Sequence, residues 1–187
     1  MAAGVAVTAM RHVAQQPLPG IGTLAGAEFG PGGTHRYRLW RTFGRVESGS
    51  VLFVMLNPST ADAATDDPTI RRCVGFARRW GAGCVEVVNL FAYRATNPDD
   101  LADSCEAGID VVGPDNDRVI VQAARDADII VAAWGAHRMA KERARAVMSL
   151  LGAARVECLH VTRDGSPRHP LYVGAGTIRV PFALVSP

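Results

Sequence analysis

With 187 residues, 48% of them apolar and 20% charged, the chain has a globular composition and is long enough to bury a full core. A net charge of +2 is too small to argue for nucleic acid from bulk electrostatics, so any such partner has to be read from a local patch. No apolar run reaches the roughly 18 residues that cross a bilayer, and the Ala/Val-rich Met1–Met10 stretch lacks a basic flank. A cytoplasmic monomer without membrane contact is expected.

Residues 1–34 are rich in Gly, Pro and Ala, as in Pro17-Leu18-Pro19-Gly20 and Gly30-Pro31-Gly32-Gly33. They read as an irregular lead-in to a single α/β domain over 35–187. His35–Phe43 alternates and carries aromatic and basic residues, which predicts an antiparallel edge strand. Its Arg36, Arg38 and Trp40 then share one face, either solvated or a contact surface. After a turn at Glu47–Ser50, the apolar run Val51–Leu56 predicts a buried strand that ends abruptly in Asn57-Pro58-Ser59-Thr60.

Asp67-Pro68 supplies a helix N-cap and a proline at the first helical position, and Ile70, Val74 and Ala77 continue at helical spacing until Gly81-Ala82-Gly83. Cys84–Phe91 is a second buried strand, running into Tyr93, Arg94, Thr96 and Asn97. Pro114 opens a helix to Ala127, Asp128–Ala133 is a third strand, and Arg138–Leu151 is a helix after Gly135-Ala136-His137. Arg155–Val161 is a fourth strand, followed by the polar loop Thr162–Pro170. Short strand–helix–strand spacing forces parallel pairing. The expected fold is a three-layer α/β/α domain with a central, mostly parallel four-stranded sheet plus the N-terminal antiparallel edge strand. The cysteines Cys73, Cys84, Cys105 and Cys158 are scattered without a CxxC pair, which suits reduced thiols. No ligand spacing supports a metal, and no cofactor is expected.

Parallel strands end at one edge of the sheet, where ligands bind in open α/β folds. Four loops therefore converge: Asn57–Asp67, Asn89–Asn97, Trp134–His137 and Thr162–Tyr172. They bring Asn57, Asn89, His169, Arg94, Arg163 and Arg168 to one end of the fold, a set suited to a polar planar ligand carrying phosphate. The plain alternative is that Asn57-Pro58-Ser59-Thr60 only makes a turn, and that Asn89 is a buried structural amide. Trp134 reads as core, and His12, His35, His137 and His160 as structural or solvated.

The segment from about His35 to Val180 is identified as a member of a bacterial and phage family of unknown function. The stretches that carry it are Met-Leu-Asn-Pro-Ser-Thr-Ala-Asp, Asp67-Pro68-Thr69, Asn89-Leu90-Phe91-Ala92 and His169-Pro170-Leu171-Tyr172. Four segments in the same order are also similar, more distantly, to the uracil-DNA glycosylase superfamily: Leu56-Asn57-Pro58-Ser59, Val88-Asn89-Leu90-Phe91, Ala133-Trp134-Gly135-Ala136 and Arg168-His169-Pro170-Leu171. That resemblance implies a DNA-repair hydrolase of the N-glycosidic bond of uracil or a modified pyrimidine, with DNA or a nucleotide as partner. It implies that Asn57 positions the water, Asn89 reads the base edge and His169 donates to the base oxygen where charge develops. Leu171 or Tyr172 would fill the gap left by a flipped nucleotide, and Arg163 and Arg168 would bind phosphates.

The chain departs from that pattern in three respects. Ser59 stands where the mismatch-specific branch has Gly, and Phe91 or Tyr93 has to supply the aromatic that stacks on the base. Asp62, Asp66 and Asp67 form an acidic cluster beside the proposed pocket. Asp67 reads as a helix cap. Asp62 is a candidate general base, which makes Asn57, His169 and Asp62 the candidate catalytic set. The other reading is a non-catalytic protein that binds a nucleobase, a nucleotide or nucleic acid in the same pocket.

Overall fold

Residues 11–18, 23–44 and 48–184 are described by a computed structural model. Eight strands form one sheet among these residues: β1 (Arg11–Leu18), β2 (Thr23–Phe29), β3 (Arg36–Thr42), β4 (Ser50–Met55), β5 (Cys84–Asn89), β6 (Ile129–Ala132), β7 (Val156–Cys158) and β8 (Val180–Pro181), in the spatial order β1-β2-β3-β5-β4-β6-β7-β8. The helices are α1 (Pro68–Arg79), α2 (Pro98–Glu106), α3 (Asn116–Asp126) and α4 (Ala140–Leu151). The central strands β5, β4, β6 and β7 are parallel to one another, while β1, β2, β3 and β8 pair antiparallel.

The alternation along β4 decides the layers. Val51, Phe53 and Met55 pack with Ile70, Cys73, Phe76 and Ala77 of α1 on one face. Leu52 and Val54 pack with Val119, Ile120 and Ala123 of α3 and Ala144 and Val147 of α4 on the other. Both faces of the strand are apolar because both are covered, as parallel sheets require. The three-layer α/β/α arrangement expected from the sequence is thus present, on a sheet twice as wide as the four parallel strands alone.

The lead-in is a correction. Arg11–Leu18 and Thr23–Phe29 are the antiparallel strands β1 and β2, and β2 pairs with β3. Hence β3 is an interior strand and not an edge. The small residues that suggested a loop answer a packing demand. Ala25 and Ala27 are fully buried, and Gly26 lies opposite Trp40, whose ring occupies the space a Cβ would need, 2.1 Å from it. Residues 1–10 and 19–22 lie outside the described residues. Three smaller differences concern the helices and the last parallel strand. α2 was not expected, β7 pairs only over Val156–Cys158, and α3 starts at Asn116 rather than Pro114.

One irregularity controls the site. β2 and β3 run in constant register from Ala25↔Arg41 to Glu28↔Arg38, then shift so that Phe29 faces Arg36. The extra residue, Tyr37, is a β-bulge, and a bulge re-aims the side chains beyond it. Arg38 pairs with Glu86 on one side of the sheet at 2.8 Å. Arg36 instead reaches the α1 side, where its Nη1 donates to the Ala61 carbonyl at 2.6 Å.

Candidate functional site

The site begins at the carboxyl ends of β4 and β5. Met55 pairs with Asn89 in parallel register, and the Leu90 and Phe91 amides continue the ladder to the carbonyls of Met55 and Leu56 at 2.8 and 3.0 Å. Asn57 and Asn89 continue the odd-numbered, α1-facing rows of their strands. The Asn57 Nδ2 donates to the Ala95 carbonyl at 2.7 Å and the Pro58 carbonyl at 3.1 Å. Both donors of the carboxamide are thereby spent on backbone, and Oδ1 is left as the acceptor without a partner among the described residues. Asn89 is 2% exposed, and its Oδ1 is buried with no hydrogen-bond partner. Its main-chain carbonyl is held by Nδ2 of the fully buried Asn116 at 3.0 Å, which fixes the strand end without satisfying the side chain.

The third group comes from the loop after β7. His169 caps the short 3-10 helix Pro170–Tyr172, its Nδ1 accepting the Leu171 amide at 3.3 Å. With Nδ1 an acceptor, the neutral ring carries its proton on Nε2. Burial disfavours the imidazolium and holds the His169 pKa down at about 4 against the ordinary 6.5, with the Asp67 carboxylate opposing that shift. Arg72 of α1 donates to the carbonyls of Pro170 and Val173, so the His169 loop is tied to the helix. α1 itself starts at Asp67, whose carboxylate accepts the Ile70 amide at 2.8 Å.

These pieces enclose a cavity of about 300 Å³. Asn57, Asn89 and His169 line it together, with apolar surface from Met55, Ile70 and Val87. Ser59, Leu171 and Tyr172 also line it, and Tyr172 is 71% exposed with its ring 5.7 Å from that of His169. The cavity wall also includes Asp67, expected as a helix cap, and Arg36, expected on a solvated or contact face. Arg36 is 2% exposed; desolvation lowers its pKa to about 10, chiefly offset by the Asp67 charge. It remains a cation at neutral pH.

The other expected site residues lie elsewhere. Phe91 is 5% exposed in the core against α3 and α4, and Tyr93 packs on that same core with its ring edge-on to His35, so neither reaches the cavity to stack on a base. The aromatic side chain at the cavity is Tyr172. Arg94 donates to the Gly33 carbonyl and lies 5.2 Å over the Phe29 ring, while Arg163 and Arg168 are exposed and outside the cavity lining.

The acidic cluster resolves into separate tasks. The Asp62 Oδ1 accepts the amides of Ala64 and Thr65, both at 2.8 Å, and these bonds, the Ala64 one foremost, lower its pKa. A carboxylate held in an Asx turn is a poor proton acceptor, so Asp62 is not the general base expected of it. Asp66 pairs with the buried Arg41 at 2.8 Å. Only Asp67 of the three lines the cavity.

No group of His, Cys, Asp or Glu suited to a metal occurs among the described residues, and all four cysteines are free. None of the described helices is long and apolar enough to cross a membrane. The family described as "Protein of unknown function (DUF1643)" matches residues 36–171, a span that opens at Arg36 and closes at Leu171, both in the cavity wall. No curated protein and no solved structure matches the chain.

Proposed function

The chain belongs to DUF1643, a family of proteins of unknown function, and from the chemistry of its cavity we propose a glycosylase-like hydrolase of the N-glycosidic bond of uracil or a modified pyrimidine, acting in DNA repair. The observation that carries this reading is the joint presence of Asn57, Asn89 and His169, from three separate strand-end loops, around one cavity of about 300 Å³. A uracil-DNA glycosylase-like form of the sheet is part of the same proposal.

Each group has a role suited to its surroundings. Asn57, its amide donors occupied by backbone, offers Oδ1 to a water. Asn89 offers a buried unpartnered carbonyl to the edge of a pyrimidine, where a polar group left unpaired is costly and a matching ring N–H restores the bond. His169, neutral and protonated on Nε2, donates to a base oxygen as negative charge builds there. Ser59, Leu171 and Tyr172 would handle the extruded nucleotide at the cavity, and the exposed Arg163 and Arg168 would meet backbone phosphates outside it.

The test is base release from oligonucleotides carrying uracil, mismatched thymine, or oxidised and hypermodified pyrimidines. Release that falls by about two orders of magnitude or more in Asn57→Ala and His169→Ala is expected. No release from any substrate removes the hydrolase. One observation favours a second reading: Asp62 and Asp66 are both committed to structure. A cavity with few free bases suits a non-catalytic nucleobase or nucleotide binder, which would show ligand-induced stabilisation without turnover.

A further inference from the structure

Arg36 forms no ion pair among the described residues, and Asp67 is the opposite charge that acts on it most. No carboxylate lies within 4.0 Å of its guanidinium among the described residues, whereas the buried Arg41 has Asp66 at 2.8 Å. Nη1 is bound to the Ala61 carbonyl, Nε is buried with no partner, and Nη2 bonds to none of the described residues. The two unpartnered nitrogens form one edge of the guanidinium, the edge that receives a carboxylate or phosphate through two parallel hydrogen bonds. A cation taken out of water without a partner is strongly unfavourable, and an oxyanion on that edge would offset the cost. Asp67, the other charge in the wall, caps α1 and acts on Arg36 across the cavity without an ion pair to it. Of the other charges that act on Arg36, Arg94 and Arg41 oppose its cation and Asp62 favours it, none of them pairing with it.

We infer that the cavity takes an anionic ligand whose oxyanion, a phosphate or a carboxylate, seats on the Nε–Nη2 edge of Arg36. Combined with the pyrimidine reading of Asn57, Asn89 and His169, on which this second half rests, the ligand class is a pyrimidine that carries an oxyanion. The ligand's own oxyanion then meets a buried arginine inside the pocket, apart from the backbone phosphates assigned to the exposed Arg163 and Arg168 outside it. The oxyanion has two sources: a sugar phosphate, or a carboxylate on the ring itself.

Thermal unfolding of the full chain with four probes separates them: inorganic phosphate, uridine, uridine 5′-monophosphate and orotate. The monophosphate or orotate is expected to bind at least about tenfold more tightly than uridine. Arg36→Gln should abolish that preference while leaving the unliganded protein as stable as before or more so. If the monophosphate wins, the oxyanion is a sugar phosphate, and if orotate wins, it is a ring carboxylate. Phosphate-dependent stabilisation with uridine and the ring adding nothing upholds the anion site and removes the pyrimidine reading. Equal binding of uridine and both anionic pyrimidines overturns the anion site and leaves the pyrimidine reading standing. An anion preference that survives Arg36→Gln also overturns it, because another cation is then responsible. Arg36→Lys keeps the charge without the two-nitrogen edge and should retain only part of the preference. Failure of both variants to fold assigns the guanidinium to the fold and overturns the proposal.

Discussion

Asn57 and Asn89 share a functional group and differ in what the fold leaves free. The first has its donors bound and an acceptor to offer, and the second keeps a buried acceptor with nothing to accept. Such a group is a stability cost of about 1–3 kcal/mol. Asn89→Leu, close in size and apolar, should therefore raise the unliganded unfolding free energy by about 1 kcal/mol while abolishing binding of any pyrimidine. Urea unfolding alongside the ligand panel would check both halves, and a destabilised variant would mean Asn89 is structural. His169 has a pH signature of the opposite origin. Its folded pKa lies near 4, below the ordinary 6.5, so on acidification the unfolded chain takes up the proton first. Stability attributable to this group is complete above 6.5 and is lost as the pH falls towards 4. His169→Gln should flatten that part of the pH–stability curve in urea titrations. Asn57 and Asn89 are legible because each follows an apolar strand run, and His169 because it stands before a proline in the polar loop after β7. Asp62 departs from its expected role because its carboxylate is spent on the amides of its own turn, which composition cannot show.

At the scale of elements, local signals were as good as their capping chemistry. Asp67-Pro68 announced α1, and Asp67 does accept the Ile70 amide. Asp67→Ala should cost about 1 kcal/mol through the lost cap, read as a lowered denaturation midpoint. Asn97-Pro98 carries the same signature for α2, with Asn97 accepting the Asp99 amide and Asp99 and Asp100 in the first turn. That signal was present in the sequence and was absorbed into a polar loop. β2 is the harder case. Its Ala and Gly residues have weak strand preference, and their place is set by what lies over them. Gly26→Ala would drive a methyl into the Trp40 ring, so a loss of about 1–3 kcal/mol is expected, with Trp40 fluorescence reporting the displaced ring.

Across the whole molecule, the sheet is shared by two cores that meet only through its strands. Phe53 is fully buried between β4 and α1, with its ring stacked 6.0 Å from Trp80. Phe53→Ala should cost about 3–5 kcal/mol in denaturant unfolding, without the change in slope that a separately unfolding layer would produce. The period and the polar punctuation of β4 and β5 identified covered strands ending in Asn, and parallel pairing brought their loops together, because alternation and chain connectivity are local properties. Which side chains enter the cavity is not local. Simple alternation puts Arg36 with Arg38 and Trp40, whereas the bulge at Tyr37, visible only once β2 is paired beside β3, turns Arg36 to the α1 side. Side-chain direction along a strand depends on register with a partner distant in the chain, and a single inserted residue reverses it. For that reason the carboxamides and the histidine could be named from sequence, while the buried arginine beside them came only from the tertiary structure.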